Sequence, residues 1–257
     1  MNRVSRERYG LLDTVRGALL LNMIAYHGLY DLVRIMGVPM EWYTGTPGYV
    51  WQQAICWGFI LLSGFCFRLS KRPLRHGLTV LGAGVAVSIA TAVAMPSERI
   101  LFGVLYLLGL SGLIQCGVWA LWSRLRLPPF PAWAGLTLSA AAFFLTREVP
   151  SGYLGFEGLR ICPLPQWLYQ WDWLAVLGFP GPGFWSSDYF PVVPWIFLYL
   201  CGYFLWRLMS PDRRAMDRLR PGIRPLAFLG RHSLLIYLLH QPALMAVFTA
   251  IGWLMGR

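Results

Sequence analysis

The sequence predicts an all-α fold, a polytopic membrane bundle of about seven transmembrane helices with a cytoplasmic N-terminus. Three observations predict it. Of 257 residues, 57% are hydrophobic and only 13% charged, and the mean hydropathy is positive, outside the range of ordinary soluble domains. The apolar residues gather into runs close to the ~20 residues that cross a bilayer. The net charge of +11 resides mostly in the short segments between runs, as the positive-inside rule requires, so no nucleic-acid partner is expected.

The first run, Leu12 to Met36, begins after Arg3, Arg6 and Arg8. It is too long for a signal peptide and lacks a small-residue cleavage site, so it is expected to stay as an anchor. It also carries Asp13, Arg16, His27 and Asp31, which fall within about 60° of one another on a helix; Asn22 points about 140° away from His27. Charges inside a span cost roughly 2.5 to 3.5 kcal/mol each and are kept where they face a protein interior or a wet cavity. This stripe is therefore the candidate functional centre.

A second run, Tyr49 to Phe67, is followed by Arg68, Lys71, Arg72 and Arg75. A third, Gly77 to Met95, and a fourth, Ile100 to Trp122, flank the turn Pro96 to Arg99 and read as a hairpin. The basic segment SRLRLPPFP leads to the shortest run, Ala132 to Thr146. Residues 147 to 188 form the one substantial loop, with Glu148, Glu157, Asp172, Asp188, Tyr153, Tyr169 and the tryptophans 167, 171, 173 and 185. These aromatics suit an interfacial belt better than a sugar platform, with Asp172 and Asp188 kept as acceptor contacts. The sixth run, Tyr189 to Met209, ends in PDRRAMDRLRPGIRP, and the last extends from Leu226 to Met255.

A cytoplasmic N-terminus gathers Arg3, Arg6, Arg8, the 68 to 75 cluster, Arg124, Arg126 and the 207 to 224 stretch on one side, leaving Arg34, Arg99, Arg147, Arg160 and Arg257 on the other. The first and last spans then run in the same direction. No internal repeat is visible, and residues 1–257 read as a single domain. The five cysteines are scattered without metal-type spacing.

His27 and His240 lie ~21 to 22 Å from the cytoplasmic ends of their spans, so parallel spans bring them level. Ser233 and Tyr237 share a face with His240, and Pro242 removes a backbone bond just beyond it. A histidine one turn from a carboxylate, as His27 is from Asp31, can be held in one tautomer and act as general base. His240 or Tyr237 could stabilise an oxyanion or serve packing alone; Asp13 with Arg16 reads as a structural ion pair. A proton-coupled solute transporter is the alternative, since a His/Asp stripe also suits a proton relay, although no inverted repeat supports it. A zinc site on His27, Asp31 and His240 and a non-catalytic assembly factor are further competitors.

The motifs LLDTVRG and YHGLYDL in the first span, WGFILLSGF in the second, FGVLYLLGLSGL in the fourth, DYFPVVPW entering the sixth and FLGRHSLLIYLLHQP in the last resemble, in order and spacing, the membrane acetyltransferase family that includes heparan-alpha-glucosaminide N-acetyltransferase, in its small bacterial members. Asp13 and Arg16 match the family's D-x-x-R-G opening. His27 stands where the lysosomal members carry a functional Asn, and Tyr106 where small members often have His. The resemblance implies a multi-pass transferase of the bacterial inner membrane. It would move an acetyl group from cytoplasmic acetyl-CoA to an amine or hydroxyl of a glycan-like acceptor on the other face, with no metal. On that reading His27, Asp31, His240 and Tyr237 are the catalytic candidates. Arg16, Arg68, Lys71, Arg72, Arg75 and Arg231, or the arginines from Arg213 to Arg224, are the cations that could meet the CoA phosphates, although orientation alone accounts for such clusters. The remaining partners are the lipid bilayer and a second copy of the chain in a homo-oligomer.

Overall fold

The computed structural model describes residues 8–34 and 36–254. Arg3, Arg6 and Arg257, used above for orientation, lie outside them. The helices are α1 (Gly10–Arg34), the single turn α2 (Glu41–Thr44), α3 (Thr46–Cys66), α4 (Pro73–Ala94), α5 (Val104–Arg124), α6 (Ala132–Leu145), α7 (Val192–Met209), α8 (Arg213–Asp217), α9 (Arg224–Arg231) and α10 (Ser233–Leu254). The protein is an all-α polytopic membrane protein. Among the described residues five helices, α3, α4, α5, α7 and α10, are long and apolar enough to cross a bilayer. The other two expected spans are α1, with 25 residues and the charged stripe, and α6, with 14 residues.

The chain packs as two units, one made of residues 1–59 with 212–257 and the other of residues 60–211. In the first, α9 lies on α1 at backbone contact. A Cβ on Gly17 would overlap the Leu226 carbonyl, and one on Gly230 would overlap the Asp13 carbonyl. Small residues at a helix crossing let backbones approach where lipid supplies no hydrophobic drive, which explains the glycines of DTVRG and FLGR. The segment before α9 is stitched to the first turn of α1. Gly10 N–H donates to the Arg220 carbonyl at 3.0 Å, Leu11 N–H to Leu219 at 3.0 Å, and Ile223 N–H to the Thr14 hydroxyl at 2.9 Å. Leu20, Met23 and Ile55 form the apolar centre, with Trp51, Ile236 and Tyr237 against them.

The last apolar run differs from expectation. It divides into α9 and α10 at His232, whose φ of −102° and ψ of 17° leave the helix and whose Nδ1 is 2.9 Å from the Phe228 carbonyl. Pro225 at the start of α9 opens a fresh helix, where a missing N–H costs nothing.

In the second unit, α4 and α5 form the expected hairpin: Gly77 faces Gly109 and Leu113, and Gly84 faces Tyr106. α3 and α7 cross at Gly64 and Gly202, each against the other helix's backbone at Tyr199 and Leu61. The long loop is more ordered than its composition suggests. Strands β1 (Tyr153–Phe156) and β2 (Leu159–Pro163) pair antiparallel around Glu157 and Gly158, with φ of 46° and 88°, the two left-handed residues of a tight hairpin turn. The Glu148 carboxylate accepts the Gly158 N–H at 3.0 Å. Arg147 pairs with Glu157 at 3.1 Å and lies over the Trp195 ring at 4.6 Å.

Candidate functional site

The site is built on α1 and α10, both in the first unit. His27 and Asp31 are one helical turn apart on α1, and α10 presents His240 and Gln241 to them. The His27 and His240 rings lie 5.0 Å apart between centroids. Asp31, only 1% exposed, accepts two contacts from Gln241 Nε2, at 3.0 and 3.3 Å. A buried carboxylate is costly unless hydrogen-bonded, and the Gln241 amide meets that need. The structure thus brings the two histidines together, and the carboxylate expected to orient His27 is engaged by an amide from the neighbouring helix.

His240 Nδ1 lies 2.5 Å from the carbonyl of Tyr237. A carbonyl only accepts, so Nδ1 carries the proton when the ring is neutral and the lone pair resides on Nε2. That Nε2 is buried and has no hydrogen-bond partner among the described residues, as is true of Gln241 Oε1. Tyr237 packs its ring 5.4 Å from that of His240, and Tyr26 meets His27 edge-on at 6.0 Å. A proton acceptor set beside a second imidazole, within a span, is an arrangement suited to deprotonating an amine or hydroxyl. Among the described residues no group of three His, Cys, Asp or Glu side chains is placed to hold a metal.

Gln241 is the residue that sequence reasoning missed. It stands in the quoted motif FLGRHSLLIYLLHQP, but a helical wheel on α10 sets it about 100° from His240. Only the neighbouring helix shows that consecutive residues of α10 meet successive turns of α1.

At the other end of α1, Asp13 pairs with Arg16 at 3.1 Å, as expected, and also with Arg8 at 3.0 Å. Arg231 reaches over the Phe228 ring at 5.8 Å. In the second unit, Arg68 lies over Trp119 at 5.4 Å and Trp206 at 5.9 Å, while Lys71, Arg72 and Arg75 are exposed about the start of α4.

In the long loop, Trp167, Trp171, Trp173 and Trp185 are 57 to 66% exposed, in keeping with an interfacial belt. Asp188 accepts the backbone N–H of Val104, the first residue of α5, and burial pushes its carboxyl up to about 6. It caps α5 in place of Gly103, which has no side chain to do so. Asp172 sets its carboxylate against Gly181 and Gly183.

A family model described as heparan-alpha-glucosaminide N-acetyltransferase, catalytic, matches residues 8–242. The matched stretch contains His27, Asp31, His240 and Gln241. No curated protein and no solved structure matches the chain.

Proposed function

Because the chain belongs to the family of the heparan-alpha-glucosaminide N-acetyltransferase catalytic region, we propose that it is an acetyl-CoA-dependent transmembrane acetyltransferase whose transfer step runs between His27 and His240. Residues 1–257 act as one acyltransferase domain in the bacterial inner membrane. Acetyl-CoA arrives from the cytoplasmic side, and the acceptor is an amine or hydroxyl of a glycan presented on the other face.

The observation that carries the reading is the buried, unpartnered Nε2 of His240, its tautomer set by the Tyr237 carbonyl and its ring 5.0 Å from that of His27. In the proposed step the acceptor nitrogen or oxygen attacks the thioester carbonyl while His240 Nε2 takes its proton. The new N–C or O–C bond forms, the C–S bond breaks, and the departing CoA thiolate recovers the proton from His240. An N–H of His27 donates to the oxyanion formed in between. Asp31 and Gln241 are positioning residues that hold α1 and α10 in register beneath the two rings.

The test is release of free CoA thiol from acetyl-CoA by the purified protein in liposomes, with glucosamine and glucosaminyl oligosaccharides as amine and hydroxyl probes. The expected result is acceptor-stimulated release that falls by about 10²-fold or more in His240→Ala. Release unaffected by His240→Ala and His27→Ala, in variants that remain folded, would overturn the assignment.

A further inference from the structure

The first unit contains a cavity of about 500 Å³ lined by Arg8, Arg220, Arg224 and Arg231 together with Gly10, Asp13, Gly222 and Ala227. Of these arginines, Arg231 and the stretch holding Arg220 and Arg224 stood out in the sequence, but nothing in their spacing placed them together. Arg8, Arg220 and Arg224 come from the approach to α1, the segment before α9 and the first residue of α9, and the fold assembles them.

The floor of this cavity is closely packed and its rim is cationic. Gly10 and Gly222 touch backbone to backbone, so that a Cβ on either would strike the other segment, and three hydrogen bonds of 2.9 to 3.0 Å fasten the same strands of chain. Arg224 and Arg231 are seven positions apart on α9, one face of a helix, with Ala227 between them. The one carboxylate in the lining, Asp13, is shared by Arg8 and Arg16, and Arg220 pairs with Asp217 at 2.9 Å. Arg224 and Arg231 have no carboxylate partner among the described residues. A positive-inside charge bias accounts for arginines on this side; it does not account for four of them converging on one cavity with two unpaired.

We infer that this arginine-lined cavity binds the phosphate groups of a ligand, as phosphate ester or diphosphate. Guanidinium groups converging on a recess match the geometry of phosphate oxygens, and bidentate pairing favours Arg over Lys there. Two sources share this chemistry, the phosphates of CoA and the headgroup of an anionic lipid. That CoA is one of them rests on the donor proposed above. Its geometry suits that source: from Asp13, in the cavity lining, to His27 is 14 residues of α1, about 21 Å, a span of the order of an extended pantetheine arm. The nucleotide phosphates would then sit at one end of α1 and the thioester at the histidines.

The experiment measures binding of inorganic pyrophosphate and of CoA by calorimetry to the full chain in detergent, and binding of phosphatidylglycerol in neutral-lipid nanodiscs. The wild type is compared with Arg224→Gln, Arg231→Gln, Arg224→Lys and Arg34→Gln. All three positions are exposed, so the variants should fold. The inference expects pyrophosphate binding to weaken about tenfold in each Gln variant, less in Arg224→Lys, and not at all in Arg34→Gln. Parallel weakening of CoA binding identifies the donor as the source. Weakened phosphatidylglycerol binding with CoA unaffected or unbound supports the cavity with a headgroup as its occupant. Absence of CoA binding to the wild type contradicts the donor proposed above, while the pyrophosphate and lipid measurements still decide on the cavity. Binding of all three probes unchanged in Arg224→Gln and Arg231→Gln, or binding of none of them by the wild type, overturns the inference.

Discussion

Asp31 and Gln241, 210 positions apart in the chain, are joined by contacts of 3.0 and 3.3 Å from one amide nitrogen to both carboxylate oxygens. This contact ties α1 to α10 beside the two imidazoles: His27 lies one turn before Asp31, His240 is the residue before Gln241, and the rings are 5.0 Å apart. A polar pair within a membrane span specifies which helix faces meet, because the alternatives leave a buried carboxylate without a donor.

Gln241→Leu should therefore cost more than its lost contacts. It leaves Asp31 buried and unpaired, at about 1 to 3 kcal/mol or more, and lets the histidines drift. Thermal unfolding in detergent should show a lower midpoint for Gln241→Leu. Asp31→Asn combined with Gln241→Leu should recover part of the loss, because the unpaired carboxylate is gone. No recovery in the double variant would mean that the pair does not act as a unit.

His27→Ala and His240→Ala should each leave the protein folded and acetyl-CoA bound while lowering turnover by about 10²-fold or more. Their effects should not multiply in the double variant if both rings serve one step. Loss of donor binding in either variant would instead give the histidines a binding role.

Gly17→Ala and Gly230→Ala should each be damaging although they add only a methyl group. The added carbon meets a backbone carbonyl of the partner helix, which cannot rotate away, and overpacking of this kind typically costs 1 to 3 kcal/mol or more. Unfolding midpoints, compared with Gly82→Ala on α4 where nothing lies within 4 Å, test this directly. Equal midpoints for all three would show that α1 and α9 do not hold their contact.

Asp188 gives a pH dependence of definite sign. Its carboxyl rises from 3.8 to about 6 on folding, so the folded state holds the proton more tightly than the unfolded chain. Stability from the neutral carboxyl is fully present below pH 4, falls as pH climbs to about 6, and is flat above that. Asp188→Asn keeps an acceptor for Val104 and should remove this slope. Midpoints should fall for the wild type from pH 4 to about 6 and flatten from there to pH 8, and the variant should lack that fall; identical slopes between pH 4 and 6 would refute the assignment.

Much of this architecture could be read from hydrophobic runs and charge placement, because a bilayer imposes length and polarity on each span. That His27 and His240 come level was legible from their positions in two parallel runs, and their rings do lie 5.0 Å apart, although the break at His232 interrupts the continuous helix assumed for the second. What stayed hidden required knowledge of the neighbouring helix. The wheel of α1 put His27 and Asp31 on one face and suggested that they bond each other, whereas the carboxylate found its donor in Gln241. The break at His232 was masked by apolar residues on both sides of it. The hairpin of β1 and β2 was lost in a loop rich in Pro, Gly and aromatics, although Glu157 and Gly158 are a turn signal. Arg8 looked like an orientation charge, and the stretch holding Arg220 and Arg224 was one candidate cation cluster among several, since convergence on a cavity is a property of the fold and not of spacing along the chain.

The measurement that tests the central claim most directly is acetyl-CoA binding to the detergent-purified chain by calorimetry, with free CoA as competitor. The proposed donor requires saturable binding that CoA displaces and that persists in His27→Ala. No binding at millimolar acetyl-CoA would contradict it, and the stripe of His and Asp on α1 would then be better explained by proton-coupled transport on the same fold.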